Sequence, residues 1–267
     1  MRQDLYQDLY TKEHEHWWHV GKRTIVYGLL NRYLSKRGNR DSRQALDLGC
    51  GTGLNLDHLQ NYALATGTDY FEEALHFCRE RGHKMICRSD AVALPFPDRN
   101  FDIATALDVI EHLDDDFAAL CELFRVMKPG GLLIVSVPAY RFLWTYWDDI
   151  LGHRRRYTTG MMREVAVRAG FRVRKLSYSN ALTLAPAMAV RLTKSMLYKA
   201  AARQGKQREA KTDFMTLPKP LNNALIGYYK LETNILRRAT LPFGLSVVAV
   251  LQRPYEAPSR TKPGVQG

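Results

Sequence analysis

The sequence predicts an α/β protein built on a mainly parallel sheet with helices on both faces, and three observations predict it. Short apolar, β-rich runs alternate with amphipathic helical patterns from Gln44 onward. Several of these runs end in glycine or an acidic residue, as strands do at the carboxyl edge of such a sheet. With 267 residues and 46% apolar content, the chain can bury one large core or a core with an appendage.

Taken in order, a polar-aromatic segment at Glu13–Val20 leads into an amphipathic helix from about Lys22 to Ser35. Strands are expected at Gln44–Leu48, Ala65–Asp69, Lys84–Arg88, Phe101–Leu107 and Leu132–Val137, with helices near Asn55–Ala63, Phe71–Arg81 and Asp115–Met127. Lys128-Pro129-Gly130-Gly131 reads as a helix stop and turn, because proline cannot continue a helix and glycine accepts positive φ. Thr158 or Thr159 can cap a helix that runs to about Ala169, Gly170 closes it, and Phe171–Ser177 follows as a sixth strand. Residues 181–242 break the rhythm, with helices expected at Ala187–Ala202 and Leu221–Arg237 around a polar linker, residues 203–208. Leu245–Gln252 has the composition of a final buried strand. The expected organisation is an N-terminal helical cap (1–43), a ligand-binding core (44–180), a helical insertion that caps a substrate or faces a membrane (181–242), the last core strand (243–254) and a flexible tail (255–267).

Charge is unevenly placed. Net charge is +12, yet residues 1–150 hold 17 Lys+Arg against 22 Asp+Glu, whereas residues 151–267 hold 22 against 5. Such asymmetry is either a solvated basic surface or a face turned to something anionic: a phosphate-bearing acceptor, a membrane surface or nucleic acid. No apolar run reaches the roughly 20 residues that span a bilayer. Met1-Arg2-Gln3-Asp4 leads into no apolar leader, and the four cysteines form no C-x-x-C pair. Reduced thiols in a cytoplasmic protein are therefore expected, with the inner membrane face as a candidate peripheral location.

The most informative stretch is Ala45-Leu46-Asp47-Leu48-Gly49-Cys50-Gly51-Thr52-Gly53, a strand running straight into glycines. Glycine lets the chain turn sharply there and leaves room for a ligand against the main chain. The Gly-x-Gly-x-Gly spacing differs from the Gly-x-Gly-x-x-Gly of dinucleotide binders. Asp69 ends the second strand, where a carboxylate can accept both hydroxyls of a ribose, and Asp90-Ala91 follow the third, where an adenine amino group can be held.

Together with Gly67-Thr68-Asp69, Ser89–Phe96, Phe101-Asp102-Ile103, Asp108-Val109-Ile110-Glu111-His112-Leu113 and Lys128–Gly131, this stretch resembles the class I S-adenosylmethionine-dependent methyltransferase superfamily over roughly residues 40–140. The resemblance implies a Rossmann-like seven-stranded sheet with an antiparallel last strand, and S-adenosylmethionine as cofactor. It implies that Asp47 and Gly49 line the methionine side, that Asp69 takes the ribose, and that Asp90 and Ala91 meet the adenine, with Cys50, Gly51, Gly53 and Tyr70 as further cofactor-binding residues. Leu107 and Asp108 then sit beside the methyl group. Glu15–Trp18 with Lys22-Arg23, Leu151–Thr158 and Leu241–Ser246 resemble a bacterial subgroup, many of whose members lack an assigned substrate.

The sulfonium is already a good methyl donor, so the protein's main tasks are alignment and water exclusion. A base is needed only for an acceptor that must lose a proton. His153 is the base candidate, set against a packing or capping role, with Tyr157 and Asp108 as further catalytic candidates. Arg154, Arg155 and Arg156 can grip an anion, although consecutive residues point in different directions and at most two can converge. Trp144 and Trp147 can wall an acceptor. Trp17 and Trp18 can form a lid over the cofactor while Arg23 reaches its carboxylate, or they can staple the N-terminal helix. A metal at Glu111 and His112 is rejected for want of a third ligand at sensible spacing.

The expected activity is methyl transfer, O-methylation first, to a small or lipid-linked, anionic acceptor such as a glycan or polyprenyl-linked intermediate. A soluble natural-product or quinone-type enzyme is the close variant. Nucleic acid is disfavoured because Leu107-Asp108-Val109 stands where amino-methylating enzymes of the superfamily usually carry Asn/Asp-Pro-Pro-Tyr. A non-catalytic cofactor-binding protein is the remaining class.

Overall fold

The structure, a computed structural model, describes residues 3–34, 39–186, 188–189 and 217–255. Its strands are β1 (Gln44–Leu48), β2 (Leu64–Asp69), β3 (Ile86–Arg88), β4 (Phe101–Leu107), β5 (Met127–Pro138), β6 (Arg172–Ser179) and β7 (Ser246–Gln252). They form one sheet in the order β3-β2-β1-β4-β5-β7-β6. β1 to β5 pair in parallel, and β7 runs antiparallel between β5 and β6. The strand order reverses between β1 and β4, whose carboxyl ends diverge into a crevice.

Both faces of the sheet are covered, and the side-chain period of two explains the strand sequences. Leu132, Ile134, Val248 and Val250 join one core with Ala45 and Ile103, while Leu133, Val135, Val247 and Ala249 join the other with Leu46 and Ala104. The first face receives α2 (Trp17–Tyr33), α3 (Leu54–Leu59) and α8 (Lys219–Leu236). The second receives α5 (Asp116–Val126) and α7 (Thr159–Arg168). Capping fixes their starts: Asp115 accepts the Ala118 N–H at 2.8 Å and Thr158 accepts that of Met161 at 3.3 Å.

Three sequence expectations change. The first long helix begins at Trp17 rather than Lys22, because His16 supplies the cap, its Nδ1 lying 3.3 Å from the Trp18 N–H. A separate helix, α1 (Gln3–Lys12), stands where none is expected. Lys128–Gly131 lies inside β5 instead of turning: Met127 pairs with Phe101, and the register shifts before Leu132. Gly130 (φ +84°) absorbs that irregularity, its N–H bonding the Arg253 carbonyl at 2.8 Å. The short helices α4 (Glu72–Glu80) and α6 (Tyr146–Leu151) complete the set, and α6 starts with a Thr145/Asp148 capping box.

The helix expected at Leu221–Arg237 is α8, and it belongs to the packed core. Tyr229 and Leu236 are fully buried, and α8 lies along α2, where Gly21 and Gly28 face Tyr229 and Thr233. Apart from residues 188–189, the helix expected at Ala187–Ala202, the linker and the tail beyond Tyr255 lie outside the described residues. Among the described residues, no helix is long and apolar enough to cross a membrane.

Candidate functional site

The crevice begins at the turn after β1, where Gly49, Gly51 and Gly53 all adopt positive φ (+67°, +54° and +87°). The Gly49 and Cys50 N–H groups both reach the Thr68 carbonyl, at 2.8 and 3.0 Å, which folds the turn back over β2. A Cβ on Gly49 would stand 2.3 Å from Val109, whereas one on Gly51 would meet nothing nearer than Leu9 at 4.0 Å. Gly49 is therefore closed by the chain after β4, and the open approach to the backbone is at Gly51.

Asp69 braces this turn from β2. Its Oδ2 accepts the Gly51 N–H and its Oδ1 the Phe71 N–H, both at 3.0 Å, so the carboxylate is fixed with lone pairs to spare. Burial nevertheless pushes its pKa up. Asp47 lies beneath the turn, its Oδ1 accepting from Thr105 (2.7 Å) and Asn55 (2.8 Å), while its Oδ2 has no partner. Burial pushes this carboxyl up to about 7. Asp90 is exposed and forms a local turn, accepting the Val92 N–H at 3.1 Å, with Ala91 buried beside it. Tyr70 is exposed at the rim, with the Arg88 guanidinium 5.6 Å from its ring centre.

Helix α1 covers the cleft. Tyr6 is buried close to Asp69, and Leu9 overhangs Gly51. The helix is anchored by Glu13, which accepts from the Thr52 hydroxyl and from Arg81 at 2.7 Å. These contacts give sequence-silent residues a place in the site, since nothing in Gln3–Lys12 except its helical content could signal that role.

At the ends of β4 and β5 two non-glycine residues, Asp108 and Tyr140, both hold φ +56°. Such conformations cost of order 1 kcal/mol or more and are held by their surroundings. The Asp108 N–H bonds Ser136 at 2.8 Å, and its carboxylate pairs with the Lys22 ammonium. Leu107, just before it, is half-buried. Three residues on, Glu111 is fully buried with neither carboxylate oxygen hydrogen-bonded. Burial pushes Glu111 up to about 8 and His112 down to about 4. The His112 and His153 rings meet edge-on, 4.7 Å between centres.

His153 is held from behind. Its Nδ1 lies 2.7 Å from Asp148 Oδ1, and Asp148 is gripped by Arg156 Nε (2.7 Å) and Nη2 (3.0 Å) and by the Thr145 N–H (2.8 Å). Burial alone would raise Asp148, but the His153 and Arg156 hydrogen bonds outweigh it and hold the carboxylate well below its usual range. The sequence supplies the third donor that was missing beside Glu111 and His112 only once the chain folds, because His153 comes from beyond α6.

Other expectations fail in their details. Arg154, Arg155 and Arg156 do not converge on a ligand: they pair with Asp114 (2.9 Å), Asp116 (2.7 Å) and Asp148 (2.7 Å) respectively. Arg156 is 5% exposed, which fits a structural pair and not an open grip. Tyr157 is buried too, its hydroxyl donating to Asp116 at 2.6 Å, so it faces away from the crevice. Arg23 donates to the Glu13 carbonyl at 2.8 Å and is thereby tied to the base of α1 rather than to a ligand. Trp17 acts as the staple, stacking on Tyr229 at 6.2 Å, while Trp18 is half-buried with the Lys22 ammonium 5.6 Å from its ring. Trp144 donates to Asp149 at 3.0 Å, and Trp147 packs beside Tyr146.

Comparison with known proteins agrees with this architecture. Residues 46–135 match a methyltransferase domain family. A protein of Mycolicibacterium smegmatis, named as a probable S-adenosylmethionine-dependent methyltransferase, is 34% identical over 135 residues, covering 49% of this chain and 52% of that one. The demethylmenaquinone methyltransferase of Staphylococcus aureus is 33% identical over 111 residues, covering 39% and 46%. The chain thus spans about half the length of these relatives. In fold it is similar to a Haemonchus contortus phosphoethanolamine N-methyltransferase solved with S-adenosylhomocysteine, with a TM-score of 0.52, 17% identity and coverage of 86% of this chain and 52% of that one.

Proposed function

We propose that this chain, through the class I S-adenosylmethionine-dependent methyltransferase domain that it carries, moves the methyl group of S-adenosylmethionine to an oxygen of a small or lipid-linked acceptor. The observation that carries this reading is the crevice at Gly51, where an open backbone, the fixed carboxylate of Asp69 and the unpartnered Oδ2 of Asp47 meet. Those groups fit an adenosyl amino acid: a carboxylate for ribose hydroxyls, bare backbone for close approach, and buried acceptor capacity for a cationic end. When bound, the sulfonium supplies an activated methyl group with a neutral thioether as leaving group.

The chain's own residues do the rest. Asp69 holds the ribose, Gly49–Gly53 lie along the methionine, and Asp90 and Ala91 flank the adenine. Tyr6 and Leu9 close the cleft against water. Asp108, fixed by its strained backbone and by Lys22, borders the methyl group from the end of β4. Holding an acceptor in line with that methyl can supply roughly 7–11 kcal/mol of barrier reduction. A hydroxyl acceptor must also lose its proton, and in this reading the Glu111, His112 and His153 side chains, whose donor atoms lie within 4.8 Å of one another, assist that loss. An anionic acceptor gains no support from Arg154, Arg155 and Arg156, each already paired with a carboxylate, so a hydroxyl is the acceptor's defining feature here.

Calorimetric titration with S-adenosylmethionine tests the reading. Wild type is expected to bind one equivalent and Asp69→Ala to bind at least tenfold more weakly; no binding by wild type would overturn it. Incubating cell extract with methyl-labelled cofactor, then separating lipid, aqueous and nucleic-acid fractions, identifies the acceptor class.

A further inference from the structure

We propose that Glu111, His112 and His153 form a binding site for a divalent first-row transition-metal ion at the acceptor side of the methyl-transfer crevice. One donor atom from each residue lies within 4.8 Å of the other two. A metal about 2.1 Å from each donor requires donor separations of about 3.0–3.4 Å, so the three donors draw together by up to about 2 Å on loading.

Three features distinguish this cluster from a chance gathering of polar groups. Glu111 is 0% exposed and neither oxygen has a hydrogen-bond partner, an arrangement that costs several kcal/mol unless something satisfies the carboxylate. A cation held by one of its oxygens is such a group, beside the charges of Lys22 and Arg156 that already face it. Next, the histidines carry the outer support that metal-binding imidazoles usually have. Asp148 accepts from His153 Nδ1 at 2.7 Å, which fixes the ring and leaves Nε2 as the free donor, and Arg156 with Thr145 locks Asp148 in turn. His112 is turned to the backbone carbonyls of Leu151 and Gly152. Finally, the two ligand-bearing segments are pinned together, because the Arg154 N–H donates to the Glu111 carbonyl at 2.7 Å.

Two imidazoles and one carboxylate are borderline ligands, suited to zinc, cobalt, iron, manganese or nickel rather than to calcium or magnesium. Three protein donors leave one or more coordination positions open, and an open position is a place for a substrate oxygen. Val109, two residues before Glu111, packs on Gly49, so the site adjoins the cofactor turn. Resting on the methyl-transfer reading above, the proposed ion takes the acceptor hydroxyl as a ligand. The O–H proton passes to solvent, the oxygen forms a bond to the methyl carbon, and the methyl–sulfur bond breaks with its electron pair staying on sulfur. Acceptors with an ionisable hydroxyl, above all those with a second oxygen alongside to chelate the ion, are the class this site selects.

Metal uptake can be read without cofactor or acceptor. The full chain, stripped with a chelator and dialysed, is titrated with Co²⁺ while visible absorption is recorded, and with Zn²⁺ by calorimetry. One equivalent is expected to bind and to give the d–d bands of a nitrogen- and oxygen-ligated cobalt ion. Glu111→Gln and, independently, His153→Gln are each expected to weaken binding at least tenfold. S-adenosylmethionine titration of the same samples reports whether each variant is folded, and a variant that has lost that signal is replaced by His112→Gln. Wild type that binds S-adenosylmethionine but neither metal overturns the proposal and leaves the methyltransferase reading intact. Metal binding undiminished in all folded variants also overturns it, because the ion would then sit elsewhere. Metal binding without cofactor binding upholds the site and sinks the methyl-transfer reading instead.

Discussion

A methyl group added to Gly21 would stand 2.3 Å from the ring of Tyr229, so α2 and α8 meet through bare backbone. Gly28 repeats the contact two turns later, where an added methyl would lie 2.2 Å from the Thr233 side chain. Gly21→Ala is expected to force the helices apart and cost about 1–3 kcal/mol, the usual penalty for overpacking. A urea titration checks this; an unchanged midpoint would mean that α8 is free to move off α2.

Arg156 and Asp148 form a buried ion pair, 5% and 1% exposed, and the same carboxylate orients His153. Arg156→Met leaves Asp148 charged and short of partners, which is expected to cost about 3–5 kcal/mol. Arg154→Ala, which removes an exposed pair, is expected to stay within about 1 kcal/mol of wild type. Equal losses from both changes, measured by chemical denaturation, would contradict the division drawn between a structural and a surface arginine.

Helix α1 is tied down by Glu13 and Arg81, whose guanidinium also lies 4.4 Å from the centre of the Tyr10 ring. Arg81→Met is expected to loosen α1 and expose the cleft beneath Tyr6 and Leu9. Protease cleavage within residues 3–12 should become faster, and cofactor should dissociate several-fold faster in stopped flow. Unchanged rates in both assays would remove α1 from its covering role.

Asp47 has a sign that can be tested by pH. Its folded pKa lies near 7 against 3.8 for the free group, so between those values the folded state holds a proton that the unfolded state has lost. Stability from this group is therefore present at low pH, declines as pH rises from about 4 to 7, and is absent above. Asp47→Asn keeps the shape and removes the ionisation. Its stability relative to wild type is expected to improve between pH 5 and pH 8 by roughly 3 kcal/mol at most, read as a rise in relative melting temperature. A difference independent of pH would show that the buried carboxyl does not titrate in this range.

Much of the fold is legible in the residues because short apolar, β-branched runs such as Leu132–Val137, bounded by Gly131 and Pro138, are too short for a helix, and because Gly49, Gly51 and Gly53 occupy positions that only glycine adopts readily. The cofactor side is legible because its candidate residues are local features: Gly49–Gly53, Asp69, Asp90 and Asp108 each stand at or just past the carboxyl end of one strand, so the strand pattern alone puts them on one edge of the sheet although its order is β3-β2-β1-β4. The acceptor side is not. His153 lies 41 positions after His112, at a spacing that no local motif encodes, and it joins Glu111 only through α6 and the Arg154–Glu111 backbone bond. The run Arg154-Arg155-Arg156 misleads because charge shows in a sequence and its partners do not: Asp114, Asp116 and Asp148 claim one arginine each. α1 escapes notice because its polar, short sequence forms a stable helix only against the surface of α4, through Tyr6, Tyr10 and Phe77.

The position of β7 has a consequence for how the molecule is made. Among the described residues β6 has no strand neighbour except β7, and β7 also supplies the outer partner of β5. A ribosome releases Ser179 well before Ser246, its partner in the ladder, and at about 5–20 residues per second the interval is roughly 3–13 seconds. Throughout that interval the nascent chain carries an open apolar edge at Leu133–Val137 and a strand with nothing to pair with. The newborn protein is therefore most in need of a chaperone late in its synthesis, and a message truncated before residue 246 yields an aggregating chain, even though every residue matched to the methyltransferase family has already been translated.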